Sequence, residues 1–112
     1  METNARNGLE PGTALDPLRM VRTAEGSIVS RVLFKNPQGS LTLFAFDAGQ
    51  ILSEHTAPFD AIVHVLEGTL DLSVGGKPVP VTAGQTALMP AGVPHAVKAP
   101  EKTKWLLTML KA

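Results

Sequence analysis

From residue 17 onward, short apolar stretches alternate with turn residues, and helical spacing never persists. Period-2 patterning predicts strands over residues 18–23, 27–35, 40–46, 51–56 and 61–67, a periodicity that places successive side chains on opposite faces. Further strands are predicted over 69–74, 79–81, 86–89, 95–98 and 103–110. The ten glycines and nine prolines fall largely at the joints between them, where a positive or fixed φ is wanted. Val74-Gly75-Gly76-Lys77 is a two-glycine hairpin signal. Many short strands at regular spacing, with no helix between them, indicate an all-β antiparallel sandwich or barrel. Residues 1–16 are polar and rich in Gly, Pro and Asn. They are expected to form a flexible or irregular N-terminal arm ahead of one barrel domain over 17–112.

Several strands are apolar on both faces, two of them notably so. In the last, Trp105, Leu107 and Met109 point one way while Leu106 and Leu110 point the other. The strand over 40–46 has the same character. A small monomeric barrel needs only one dry face per strand. The second dry face is therefore expected to be covered by another subunit, in a homodimer formed through the outer strands and the N-terminal arm.

Composition narrows the partners. A length of 112 residues suits one core, and 44% apolar with 18% charged residues suits a packed globule. Ten basic and ten acidic side chains cancel, so neither nucleic acid nor an anionic membrane, which both demand basic excess, is expected as a partner. The absence of cysteine excludes disulfides, thiolate metal sites and thiol nucleophiles. The first twenty residues lack the apolar core of a secretory signal and no run is long enough to span a bilayer, so a cytoplasmic location is expected.

Candidate chemistry concentrates in two segments. One is Gly49-x5-His55 running on to Gly68, and the other is Gly84-x5-Pro90-x-Gly92-x2-His95. They resemble the paired motifs of the cupin superfamily, G-x5-H-x-H-x3,4-E-x6-G and G-x5-P-x-G-x2-H-x3-N. Val63-His64-Val65-Leu66-Glu67-Gly68 also matches that family's strand-and-turn ending, and the resemblance spans residues 49–99, about half the chain. It implies a double-stranded β-helix, the jelly-roll barrel of a small single-domain bacterial cupin, with His55 and His95 lining one internal pocket.

In such cupins two histidines and a glutamate of the first motif, with the histidine of the second, usually hold a divalent metal. Here His55 and His95 occupy the first and last of those positions. Ala57 stands where the second histidine belongs, Ala61 where the carboxylate belongs, and Ala99 where the asparagine belongs. Strict alternation from His55 turns Ser53 and Ala57 inward and Glu54 and Thr56 outward. On the next strand it turns position 61, Val63 and Val65 inward, and Ile62 and His64 outward. Asp60 reaches the interior only through a bulge, and Glu67 lies roughly 20 Å beyond position 61 at ~3.3 Å per residue. His64 and Asp60 are therefore weaker third-ligand candidates than the two motif histidines. Zinc wants four ligands, and non-haem iron wants two histidines and a carboxylate. A single Zn, Fe, Mn or Ni ion with an incomplete ligand set, held weakly or not at all, is the expectation.

The expected pocket is lined by His55, His95, Ala57, Ala61, Val63 and Met89, with Val65 and Val97 behind them. Met89 stands between plain core and pocket rim. Such a lining suits a small, largely apolar ligand carrying an anionic or carbonyl group for the imidazoles. Three readings stay open: a small-molecule-binding or sensing module; a metal-dependent oxygenase or isomerase of small organic acids or ring compounds; and an assembly scaffold with a relict pocket.

Overall fold

The computed structural model describes residues 8–112. Nine strands follow one another: β1 (Ile28–Asn36), β2 (Gly39–Phe46), β3 (Ile51–His55), β4 (Phe59–Glu67), β5 (Thr69–Val74), β6 (Lys77–Thr82), β7 (Thr86–Met89), β8 (His95–Lys98) and β9 (Thr103–Lys111). They pair antiparallel in two sheets, a five-stranded one of order β1-β2-β9-β4-β7 and a four-stranded one of order β3-β8-β5-β6. This is the jelly-roll barrel that the motif resemblance implies, built from the antiparallel strands that the turn spacing predicts. Among the described residues no helix is long and apolar enough to cross a membrane.

One expected strand does not form. Residues 17–19 make a single 3-10 turn instead, with Asp16 Oδ1 accepting the Leu18 N–H at 3.1 Å and Pro17 in its first position. A capping aspartate followed by proline starts a helical turn, and here it outweighs the weak alternation of residues 18–23. Of the expected arm over 1–16, residues 1–7 lie outside the described residues. Residues 8–16 carry no strand or helix, and the Leu9 N–H donates to the Leu33 carbonyl of edge strand β1.

The core lies between the sheets. Alternation aims Phe44 and Phe46 of β2, Trp105 of β9, Val63 and Val65 of β4, Leu70 and Leu72 of β5, and Val97 of β8 into one cluster. Trp105 stacks on Phe44 with centroids 4.7 Å apart and meets Phe46 edge-on at 5.4 Å. These two geometries suit the ring quadrupole. The large rings fill one end of the barrel. Towards the other end the inward rows of the five-stranded sheet turn small or flexible: Thr42, Leu107, Val63 and Ala87 in one register row, Ser40, Met109, Ala61 and Met89 in the next.

The outer face of the five-stranded sheet carries a second cluster. Leu33, Leu43 and Ala45 are buried there beneath Val21, with Met20, Leu41, Leu66 and Leu106 packed around them. The sheet is thus apolar on both faces, as the patterning of β2 and β9 predicts. One corner of the outer face is covered by the chain's own residues 20 and 21. Two hydrogen bonds pin that segment: Arg31 Nη1 donates to the Met20 carbonyl at 3.0 Å, and Lys104 Nζ to the Leu18 carbonyl at 2.8 Å.

Candidate functional site

His55 and His95 are direct cross-strand partners, because β3 pairs with β8 in the four-stranded sheet. Their ring centroids lie 4.4 Å apart with planes at 69°. The two motif segments therefore meet through strand pairing rather than across the barrel. β3 is an edge strand, which leaves His55 exposed, while His95 in the neighbouring strand is only 3% exposed.

The register explains how both rings share a face. Leu52 pairs with Val97 and His55 with His95, so β3 spends three residues where β8 spends two. This bulge departs from strict alternation. Leu52 and Val97 belong to the core, and the extra residue restores His55 to the side of His95. The parity assigned to Ser53 and Glu54 by counting back from His55 does not carry through the bulge.

Each ring is held by a backbone carbonyl two residues earlier. His55 Nδ1 lies 2.7 Å from the Ser53 carbonyl oxygen, and His95 Nδ1 lies 3.1 Å from that of Val93. A carbonyl only accepts, so Nδ1 is the protonated nitrogen in both rings. In the neutral form this leaves each Nε2 as a lone-pair donor.

The loops bearing the two motifs are stitched together. Gly92 N–H donates to the Ala57 carbonyl at 2.9 Å, and Ala91 N–H donates to Asp60 Oδ1 at 3.0 Å. Asp60 therefore serves as an acceptor for the β7–β8 loop, and its register partner on β9 is Leu110 of the outer face. His64 pairs with Leu106 and Thr86 on that same outer face. Ala57 sits in the β3–β4 loop. Ala61 is buried at 3% exposure, with Met89 and Met109 as its lateral partners. Val63 and Met89 are buried in the core cluster.

The connections β3–β4 and β7–β8 are short, so His55 and His95 end up at the same end of the barrel as the row Ser40–Met109–Ala61–Met89. A concavity of about 530 Å³ opens at that end, and its lining comes from β1, β2 and the ends of β4 and β9, including Val32, Lys35, Ser40, Thr42, Phe59 and Met109; His55, His95, Ala57, Ala61, Val63 and Met89, expected to line the pocket, are not among its lining residues. Its hydroxyls and its ammonium group escaped the motif-based reading. The signal was present, since Ser40 and Thr42 share the inward parity of Phe44 and Phe46 on β2.

The family model of the cupin domain matches residues 42–109. The chain belongs to the cupin family. Among solved structures it is similar to a conserved protein of unknown function from Streptococcus pyogenes, with 34% identity over 95% of this chain and 93% of that one and a TM-score of 0.88. It is also similar to a cupin 2 conserved barrel domain protein from Leptotrichia buccalis, at 41% identity and TM-score 0.81. That match covers 84% of this chain but only 46% of the other. A cupin superfamily protein from Desulfitobacterium hafniense shares the fold at 20% identity, TM-score 0.86, over 94% of this chain and 96% of that one. No curated protein matches the sequence.

Cupins imply a divalent metal, and this donor set does not fit one fully. Among the described residues no three His, Asp or Glu side chains come together. The positions that would complete the shell carry the methyl groups of Ala57 and Ala61. Two Nε2 lone pairs supply half of a tetrahedral shell and lack the carboxylate of a two-histidine iron site.

Proposed function

We propose that this cupin is a cytoplasmic small-molecule-binding or sensing module, with its ligand seated at the open end of the barrel against His55 and His95. The metal site is depleted to two histidines, with weak or no occupancy. The observation that carries this reading is the imidazole pair itself: two rings 4.4 Å apart, each tied through Nδ1 to a carbonyl, at an end otherwise lined by small and apolar side chains. The tethers refine the ligand class. A neutral ring presenting Nε2 accepts a hydrogen bond, so an O–H or N–H group suits it better than a bare carbonyl. Ser40, Thr42 and Lys35 at the same end supply donors for a carboxylate, and Phe59 and Met109 supply an apolar floor. A small hydroxy acid or phenolic acid meets all three requirements.

The test is a titration of the purified protein with a panel of hydroxybenzoates and short hydroxy acids, read by ligand-observed NMR. Binding is expected in the parent, is lost in His55→Ala, whose ring is exposed, and is lost in Ala61→Leu, whose added bulk falls beside Met89 and Met109. Equal binding in all three proteins refutes the site. A parent that binds none of the panel, with Ala61→Leu unchanged in behaviour, favours the scaffold reading.

One observation favours metal-dependent enzyme chemistry as a second reading. Donation by Nδ1–H to a carbonyl is also how ligating imidazoles are oriented. One equivalent of metal retained through purification without chelator supports this reading over the first.

A further inference from the structure

A second concavity, of about 760 Å³, lies between residues 19–22 and residues 29–32 of β1, the strand that ends the five-stranded sheet. The chain has four arginines, and Arg19, Arg22 and Arg31 all line this groove. The fourth, Arg6, lies outside the described residues. None of the six lysines lines the groove, and among the described residues no carboxylate does. Ten basic and ten acidic side chains cancel over the whole chain. Three guanidinium groups in one hollow are therefore a local excess and not a share of a generally basic surface.

We propose that this groove binds the phosphate of a small phosphomonoester. Like charges gathered in one place repel, and a bound anion removes that cost. Arg31 is half-buried, and its Nη1 donates to the Met20 carbonyl at 3.0 Å, which ties one wall of the groove to the other. Arg19 and Arg22 are exposed and make no ion pair among the described residues. Asp16 and Glu25, the acids nearest them in sequence, do not line the groove, and Asp16 Oδ1 is engaged by the Leu18 N–H. A phosphomonoester near neutral pH carries close to two negative charges and three acceptor oxygens, where a carboxylate has one charge and two oxygens. Planar guanidinium forks match phosphate oxygens in pairs, which a lysine ammonium does not.

The rest of the lining suits the body of such an ester. Met20, Val29 and Val32 give apolar walls, and the exposed Ser30 hydroxyl adds a donor. The volume falls within the roughly 300–1,000 Å³ of small-molecule pockets. A lipid headgroup presents the same phosphate. Membrane attraction, however, needs basic residues spread over a surface, and here the excess is confined to one hollow of a chain with no net charge. Val32 also lines the concavity at the open end of the barrel, so the two hollows adjoin at one side chain of β1. They share no charged residue, since Lys35 lines one and the three arginines the other. The proposal therefore stands independently of His55 and His95.

Protein-observed NMR of the full chain, titrated with phenyl phosphate at low salt, tests the proposal. Amide shifts are expected at residues 19–22 and 29–32. Affinity is expected to fall about 10-fold in Arg19→Gln and in Arg22→Gln, since each removes one charge-assisted pair. Both side chains are exposed, and thermal melts confirm that the variants are folded. Lys77→Gln, at the start of β6 in the other sheet, removes the same unit of charge and leaves the affinity unchanged. Benzoate is expected to bind the groove more weakly than phenyl phosphate. No shift at these residues, or full affinity in Arg19→Gln/Arg22→Gln, overturns the site. An equal loss in Lys77→Gln overturns it in favour of bulk charge, and equal affinity for benzoate overturns the choice of phosphate. Cosedimentation with phosphatidic acid vesicles, where phenyl phosphate moves no amide, overturns the small-molecule class in favour of a lipid headgroup.

Discussion

Gly68 closes the turn between β4 and β5, and replacing it with alanine tests how the motif glycine works. Its φ is +90°, and an added Cβ falls against the Lys102 carbonyl oxygen, against Thr103 Oγ1 and within 2.9 Å of Thr103 Cα. Gly84 also has positive φ, +88°, yet its added Cβ meets nothing within 4 Å. The two substitutions therefore share backbone strain of about 1–2 kcal/mol, and only one adds a collision. The collision strikes a fully buried threonine. Thr103 Oγ1 accepts the Thr69 N–H at 3.1 Å and shares its own proton between the carbonyls of Thr69 and Glu101, each at 2.9 Å. Losing those bonds at ~1 kcal/mol each brings Gly68→Ala to about 3–5 kcal/mol in all.

At about 4 °C per kcal/mol for a domain of this size, Gly68→Ala lowers Tm by roughly 12–20 °C and Gly84→Ala by about 4–8 °C. Urea unfolding followed by fluorescence of Trp105, the single tryptophan, supplies the matching free energies. The variants Thr103→Ala and Gly68→Ala/Thr103→Ala complete a double-mutant cycle. The double variant is expected to cost less than the sum of the singles, because the group struck by the new methyl is already gone. Equal losses for Gly68→Ala and Gly84→Ala, or strict additivity in the cycle, refute the reasoning.

Two further outcomes are expected. Restoring the missing donors with Ala57→His and Ala61→Glu together gives a protein that retains about one equivalent of divalent metal after dialysis, measured by elemental analysis, whereas the parent retains far less. Asp47 is held below its ordinary value of 3.8, first by the Gly26 N–H on Oδ2 at 2.7 Å, then by the Ala48 N–H and the charge of Lys102. A depressed folded pKa contributes stability that is present above the unfolded value and lost as pH falls through the folded one. Asp47→Asn therefore lowers urea stability above about pH 5 and converges on the parent in strong acid. Parallel curves at every pH contradict this assignment.

Local pattern made most of the fold legible. Period-2 runs and Gly/Pro punctuation located all nine strands, because each signal acts within a few residues. The errors arose where a neighbour decides. Residues 18–23 read as alternating, but Asp16 and Pro17 capture them into a 3-10 turn. The bulge between Leu52 and His55 exists only relative to β8, so parity counted along β3 alone could not see it. Self-coverage of the outer face by Met20 and Val21 likewise depends on where Arg31 and Lys104 pin the segment.

The site was legible in part, and the reason lies in which motif residues serve the backbone. Gly68 is required because a strand end passes too close for any Cβ, and Gly92, at φ +76°, lets its N–H reach the Ala57 carbonyl that joins the two motif loops. Neither duty involves a metal. The cross-strand position of His55 and His95 follows from the β3–β8 register, which is equally independent of ligand chemistry. A chain can therefore exchange donors for methyl groups at positions 57 and 61 while every turn-forming residue stays in place. The motif spacing reports the barrel and the meeting of the two imidazoles. The chemistry at the open end has to be read from the side chains that replaced the ligands and from Ser40, Thr42 and Lys35, which no motif contains.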